Sequence, residues 1–229
     1  MPENWTESIL RVLAYDLHIY RREHLWLPAG LLALFMIIVP LMRYSRRTDL
    51  LASAAFLGYV VPLMGGILAA SAVVEDTALE LQLAAPRAPW RILLERLVLL
   101  LAIVGAGALV FQAYLLALGV DLAPLGSLAA RQLVWLVPAL ALMGLASLGA
   151  LAFNGGTSGA LLAGGMWILQ LLLRGWFMAS NWARYLFLFL GERQPQSPAL
   201  PANQLLLTGL ALAFLAASGL LLKRTERYL

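Results

Sequence analysis

The segment at residues 75–91 is the longest charged stretch on the side of the chain that we expect to face the cytoplasm. Thr77 and Glu80 have the Ser/Thr-x-x-Glu spacing of a capping box, in which each side chain accepts a hydrogen bond from a free backbone N–H at a helix start. Leu79 and Leu83 fall one turn apart on the same face, and the proline that follows prevents the helix from continuing. The pattern predicts a short capped helix across the membrane surface, suited to mechanical contact.

This segment resembles the coupling segment of type-2 ABC transporter permeases. The likeness lies in an acidic start, a Leu-Glu-Leu run at 79–81, Ala-Ala-Pro at 84–86 and a basic helix that enters an apolar run. In that family the surface helix docks into a groove on a separate nucleotide-binding subunit and transmits the closure of that subunit to the spans. The resemblance implies a coupling role for Glu75, Asp76, Leu79, Glu80, Leu83, Pro86 and Arg87.

The chain has no P-loop of its own. Its only lysine is Lys223, whereas a Walker A loop needs Gly-x-x-x-x-Gly-Lys-Ser/Thr. We therefore expect ATP and Mg²⁺ to be bound by a separate ABC ATPase subunit, and the chain itself to carry no cofactor and to be no enzyme. The resemblance also implies a second permease chain, the same or homologous, because six spans are half of the complement usual in that family.

Other side chains that could do chemistry are few. The sequence has no cysteine, and its two histidines, His18 and His24, have no cluster of further ligands, so we predict no metal site. Proton-coupled carriers and intramembrane enzymes keep ionisable residues deep within spans, which is not the pattern of this sequence. The polar residues expected within the bundle are neutral amides, which line a pathway or bridge helices. They are Gln112, Asn154 and Gln170.

The elements that must position these residues are six apolar runs. Of the 229 residues, 62% are hydrophobic and 12% charged, against roughly 45–50% and about 25% in soluble domains. The runs lie at 25–42, 50–74, 92–118, 132–153, 157–173 and 204–222, each close to the length of about 20 residues that a bilayer demands. We predict an all-α membrane protein with six transmembrane helices in a domain at 25–222, of the ABC type-2 exporter permease type by resemblance.

Three segments lie outside these runs, one before them, one between the last two and one after them. Residues 1–24 have the alternation of polar and apolar faces of an amphipathic interfacial helix, residues 174–203 form an aromatic re-entrant or interfacial segment, and residues 223–229 form a basic cytoplasmic tail. Glycines within the runs predict close helix packing or kinks, with a role in a moving gate as the alternative. They are Gly65, Gly66, Gly105, Gly107, Gly164 and Gly165.

The arginines sit beside the apolar runs, which favours membrane anchoring and lipid contact over nucleic-acid binding. The basic tail, together with an even number of spans, predicts that both termini are cytoplasmic. We expect an integral protein of a bacterial or archaeal cytoplasmic (inner) membrane.

Two rival interpretations stay open at this point. A permease resembling the haem-exporter B subunit of cytochrome c maturation has a similar length and number of spans. A membrane scaffold subunit that transports nothing would need the same apolar spans, and residues 75–91 would then be an ordinary capped connecting loop. Co-purification of an ATPase distinguishes the scaffold from both permeases.

The predicted orientation is tested with an epitope tag on either terminus. Each tag should be inaccessible to an antibody applied to intact cells and accessible once the membrane is permeabilised, because the positive-inside rule keeps the basic tail in the cytoplasm. Labelling of a terminal tag on intact cells would contradict this orientation.

Overall fold

The computed structural model describes residues 22–43, 54–74 and 89–222, which are helical with short connections and contain no strand. The predicted amphipathic helix up to residue 21, the coupling segment at 75–88 and the basic tail lie outside the described residues. The helices are α1 (Arg22–Arg43), α2 (Val61–Val74), α3 (Pro89–Ala117), α4 (Leu128–Ala152), α5 (Gly156–Leu172), α6 (Arg174–Ala179), α7 (Leu190–Arg193) and α8 (Leu200–Leu222). A π-helical turn, Phe56–Val60, leads directly into α2, and 3₁₀ turns lie at Ala123–Leu125 and Ala183–Leu186.

Three of the described helices are long and apolar enough to cross a membrane: Trp90–Ala117, Leu128–Ala152 and Leu200–Leu222. Shorter apolar helices lie at Trp26–Met42, Phe56–Ala72 and Gly156–Leu172. Within the described residues, each of the six predicted apolar runs therefore falls on a helix, the second of them from residue 54 onwards. The coarser prediction, an all-helical protein with helices able to span a membrane, is confirmed.

Helix α4 is the centre of the described bundle. In its most apolar window 72% of the residues are buried, against 33% for α3 and 22% for α8. Small residues bring other helices close to α4: a Cβ added to Gly66 of α2 would lie 3.2 Å from the Cβ of Leu142, and one added to Gly144 would lie 3.0 Å from the carbonyl oxygen of Ala211 in α8. These distances are tighter than most real Cβ contacts, and small residues at such positions are the usual basis of close helix association in membranes.

Contacts between helices define two ends of the bundle. We call the end where α2 ends and α3 begins the lower end, and the opposite end, where α3 ends and α4 begins, the upper end. Helices α2, α4 and α8 run from the upper to the lower end, and α3 and α5 run in the opposite direction. The pairs that fix these directions are Tyr59 with Trp167, Gly66 with Ala163, Gln112 with Gln132, Gly105 with Trp135, Gly149 with Gly159, and Gly219 with Trp90.

The six glycines predicted to mark close packing divide into two groups. Gly66 and Gly105 are tightly enclosed by neighbouring side chains, and Gly65 has neighbouring side chains at ordinary van der Waals distance. The other three have no heavy atom of a packing neighbour within 4 Å of an added Cβ in the described structure, so close packing does not explain them: Gly107, Gly164 and Gly165.

A proline inside α1 determines a contact with α3. Pro40 has no N–H, so the carbonyl of Met36, four residues earlier, loses its helical donor. The hydroxyl of Tyr114 on α3 donates to that carbonyl at 2.7 Å. The contact replaces the lost hydrogen bond in a setting where no helical partner is available.

The close approach of α4 and α5 can be tested at Gly159. A Cβ there would overlap the carbonyl oxygen of Ala146 and lie 2.9 Å from the Cβ of Ala150, whereas one at Gly164 on the same helix meets nothing within 4 Å. Overpacking costs about 1–3 kcal/mol. We expect Gly159→Ala to lower the apparent Tm of the purified protein by several degrees, and Gly164→Ala to leave it unchanged or raise it, because alanine favours helix. Equal Tm values for the two variants would contradict this packing.

Candidate functional site

The seven predicted coupling residues, at 75–87, lie outside the described residues, but the helices on either side of them are described. Arg96 of α3 donates from Nη1 to the carbonyl oxygen of Ala72 at 2.9 Å. Ala72 lies in the last turn of α2, where carbonyls have no partner within the helix and a cation is favoured by the helix dipole. The helix ends that flank 75–88 are therefore joined to each other.

Gln112 pairs with a second amide across two helices. The side chains of Gln112 on α3 and Gln132 on α4 donate to each other at 3.2 and 3.0 Å, and the indole N–H of Trp135 donates to the same oxygen of Gln132 at 2.9 Å. Gln112 is buried. In this arrangement Gln112 joins α3 to α4.

Gln170, near the end of α5, binds the backbone of the segment at 174–199, which we call the upper segment. Its amide nitrogen donates to the carbonyl of Leu186 at 3.1 Å, and its amide oxygen accepts from the N–H of Leu188 at 2.7 Å. One buried side chain thus provides both a donor and an acceptor to a stretch of chain that is not regular helix.

Asn203, at the start of α8, does the same from the other side. Its amide nitrogen is directed at three carbonyls, those of Arg184, Tyr185 and Phe187, at 3.4, 2.9 and 3.0 Å. Asn203 is itself buried. Sequence reasoning did not single it out, because an amide beside two prolines is typical of a loop end.

Asn154 is placed far from the other two candidate amides. It lies exposed in the turn between α4 and α5 at the lower end, with φ of 51°, a left-handed conformation that asparagine tolerates well. The structure therefore does not bring Gln112, Asn154 and Gln170 together into one polar pathway. Two of them bind other elements, and the third shapes a turn.

A polar cluster that sequence reasoning missed lies at the upper end. The hydroxyl of Tyr59 donates to Oε2 of Glu192 at 2.6 Å and accepts from Nε of Arg193 at 2.6 Å. The same Nε lies 3.2 Å from Oε2 of Glu192, whose side chain is 6% exposed against 39% for that of Arg193. We call these three residues the Tyr59 cluster.

The backbone around Tyr59 allows a close approach to Glu192. Gly58 lies so close to Glu192 that an added Cβ would come within 2.7 Å of the Cβ of Glu192. Tyr59 is part of the π-helical turn, a rare form that is frequent at functional sites. Its carbonyl accepts from the indole N–H of Trp167 at 3.0 Å, and its ring centroid lies 4.5 Å from that of Phe189.

The sequence gives only a weak signal for the Tyr59 cluster. Tyr59 and Glu192 are 133 positions apart, and Glu192 and Arg193 fall outside the apolar runs. The two partners share one feature in the sequence: a glycine directly precedes each of them, Gly58 before Tyr59 and Gly191 before Glu192.

The Tyr59 cluster is a noncovalent contact between two distant parts of the chain. The carboxylate of Glu192 accepts a hydrogen bond from the phenol of Tyr59 and pairs with the guanidinium of Arg193. The contact joins the π-helical turn that leads into α2 to the upper segment. Within the described part of the chain, no three His, Cys, Asp or Glu side chains come together to hold a metal ion.

Comparisons with protein-family models, with curated proteins and with solved structures find no match to this chain. Function is therefore inferred from its residues and their geometry.

The interaction between Tyr59 and Glu192 is tested by a double-mutant cycle of Tyr59→Phe and Glu192→Ala. Each single variant should lower the apparent Tm, since a hydrogen bond to a charged group contributes about 1.5–3 kcal/mol, and the double variant should lose less than the sum. Thermal unfolding in detergent, followed by tryptophan fluorescence, measures this. The control is Glu95→Ala, an exposed carboxylate at the lower end whose removal should change little. Strictly additive losses would show that Tyr59 and Glu192 do not interact.

Proposed function

We propose that this chain is the permease subunit of an ATP-binding-cassette exporter, with six spans and with its ATPase on a separate subunit. The main observation in support of the proposal is that one helix runs from the upper end of the bundle to the lower end. The π-helical turn and α2 begin beside the Tyr59 cluster at the upper end, and α2 ends at the lower end where residues 75–91 resemble a coupling helix. The π-helical turn and α2 thus connect residues 75–91, where the ATPase would act, to the Tyr59 cluster, which would hold the upper end closed.

Helix lengths support six spans. Helix α1 has 22 residues, and the π-helical turn adds five residues to the fourteen of α2. Helix α5, with 17 residues, is at the short end of the range of about 17–25 that a transmembrane helix needs. Together with the three helices that are long and apolar enough to cross a membrane, these lengths support the proposal of six spans.

Export would then proceed by alternating access. ATP and Mg²⁺, bound by the ATPase subunits, draw those subunits together and move the coupling segment at 75–91. Because Arg96 joins α3 to Ala72 in the last turn of α2, the two helices move as a pair. Displacement of α2 along its axis pulls Tyr59 away from Glu192 and Arg193, which frees the upper segment and opens the upper end.

The proposal includes two kinds of partner, an ATPase subunit and a second permease chain. A sequence whose only lysine is Lys223 has no P-loop, so the ATPase must come from another chain, and a second permease chain, the same or homologous, completes the pathway. We place the protein in a bacterial or archaeal cytoplasmic membrane with the lower end and both termini in the cytoplasm, where basic residues beside spans are favoured.

The docking role is tested by Leu79→Arg combined with Leu83→Arg. Charges on the apolar face of the predicted surface helix should prevent it from entering a groove on the ATPase, so the ATPase should no longer co-purify with the tagged permease. The matched control is Leu81→Arg, on the opposite face of the same helix, which should retain the ATPase.

Co-purification that persists in the double variant would refute docking through this face. A wild-type preparation from its native membrane that contains no ATPase at all would instead favour the scaffold interpretation.

A further inference from the structure

An apolar groove runs between α3 and α8 at the lower end of the bundle. Its volume is about 410 Å³, within the range of about 300–1,000 Å³ typical of small-molecule sites. Its lining is almost entirely hydrocarbon. Residues from both helices form the walls, among them Trp90, Leu94 and Leu97 from α3 and Leu212, Ala216 and Gly219 from α8.

A glycine keeps the end of this groove open. A Cβ added to Gly219 would lie 3.8 Å from the Cβ of Trp90, so the missing side chain leaves the space between the indole and the backbone of α8 unfilled. Leu94, on the wall, is 47% exposed. The groove is thus open to the outside of the bundle at Leu94.

A positive charge lies beside Trp90, one of the residues that line the groove. Arg91 is exposed, and its guanidinium carbon lies 5.4 Å from the ring centroid of Trp90. Within the described ranges, no carboxylate lies within ion-pair distance of Arg91. Helix α8 ends close by at Leu222, and the sequence continues with Lys223 and Arg224. Tryptophan and arginine in this combination are typical of headgroup depth in a membrane.

We propose that this groove binds one acyl chain of a phospholipid with an anionic headgroup, and that Arg91 holds the phosphate. The apolar walls suit a hydrocarbon chain, and the guanidinium of Arg91, which has no ion-pair partner among the described residues, suits a headgroup with net negative charge. The inference requires the chain to lie in a membrane with the lower end at its surface, and it does not depend on transport or on an ATPase.

Charge also argues against a second copy of the chain in the groove. In a two-fold symmetric dimer the same patch meets itself, so packing across this groove would bring the two Arg91 side chains towards each other. No carboxylate of the described groove walls would offset that repulsion.

The test uses the full chain in nanodiscs of phosphatidylcholine with a small fraction of phosphatidylglycerol that carries a diazirine on its acyl chain. After irradiation, labelled residues are mapped by mass spectrometry and are expected at 90–97 and 212–220. Gly219→Leu fills the groove and should reduce labelling several-fold. Gly209→Leu, at an exposed glycine ten residues before Gly219 on the same helix and outside the groove lining, should not, because nothing lies within 4 Å of an added Cβ there.

The headgroup contact has its own pair of variants. Arg91→Gln should reduce labelling by the phosphatidylglycerol probe about fivefold and leave labelling by a phosphatidylcholine probe with the same acyl chain unchanged. Arg174→Gln, at an exposed arginine of the upper end, should affect neither probe.

Three outcomes would overturn the proposal. Labelling that is equal in Gly219→Leu and Gly209→Leu would exclude the groove, and an equal loss of both probes in Arg91→Gln would exclude recognition of anionic charge. Because the sequence has no cysteine, Leu94→Cys provides a single thiol. A disulfide between two copies through that thiol would show that a second copy covers the groove. None of these results bears on ATPase binding.

Discussion

Buried backbone polar groups need partners, and in a membrane there is no water to supply them. This constraint governs how the chain uses its few polar side chains. Five of them donate to a backbone carbonyl at least 16 positions away in the chain: Gln170 to Leu186, Asn203 to Phe187, Tyr114 to Met36, Trp167 to Tyr59, and Arg96 to Ala72. Each of these carbonyls lies at a helix end, at a proline, in the π-helical turn or in irregular chain.

The upper segment is the clearest consequence. It consists of helices of only four to six residues joined by turns, so its own hydrogen bonds cannot satisfy its backbone. Gln170 and Asn203 complete that backbone from the two flanking helices. Phe177, Phe187 and Phe189 then fill the space around it, with successive ring centroids 5.6 and 5.5 Å apart. The stretch from Phe187 to Gly191 is covered by protein, which is the condition under which a membrane tolerates irregular chain.

Much of the fold could be predicted from the sequence, because the apolar runs record the length of each helix. The described part of each run falls on a helix, and Gly66 and Gly105 lie at close contacts as expected. The candidate site could not be predicted in the same way. Gln112 and Gln170 stand out as amides in apolar runs, but their partners are set by helix pairing. The Tyr59 cluster depends on a π-helical turn and on a contact 133 positions apart in the chain, neither of which has a periodic signature.

The exposure of the Tyr59 cluster bears on whether it can open repeatedly. A fully buried ion pair is costly to separate, because each charge would be left without water or partner. Here Glu192 is nearly enclosed, but the side chain of Arg193 is 39% exposed and already meets solvent. Withdrawal of Tyr59 would let water reach the carboxylate through the same side, while the two adjacent residues keep their charges compensated. Under the proposed function, the cluster is therefore strong enough to hold the upper segment against α2 and weak enough for a movement of that helix to release it.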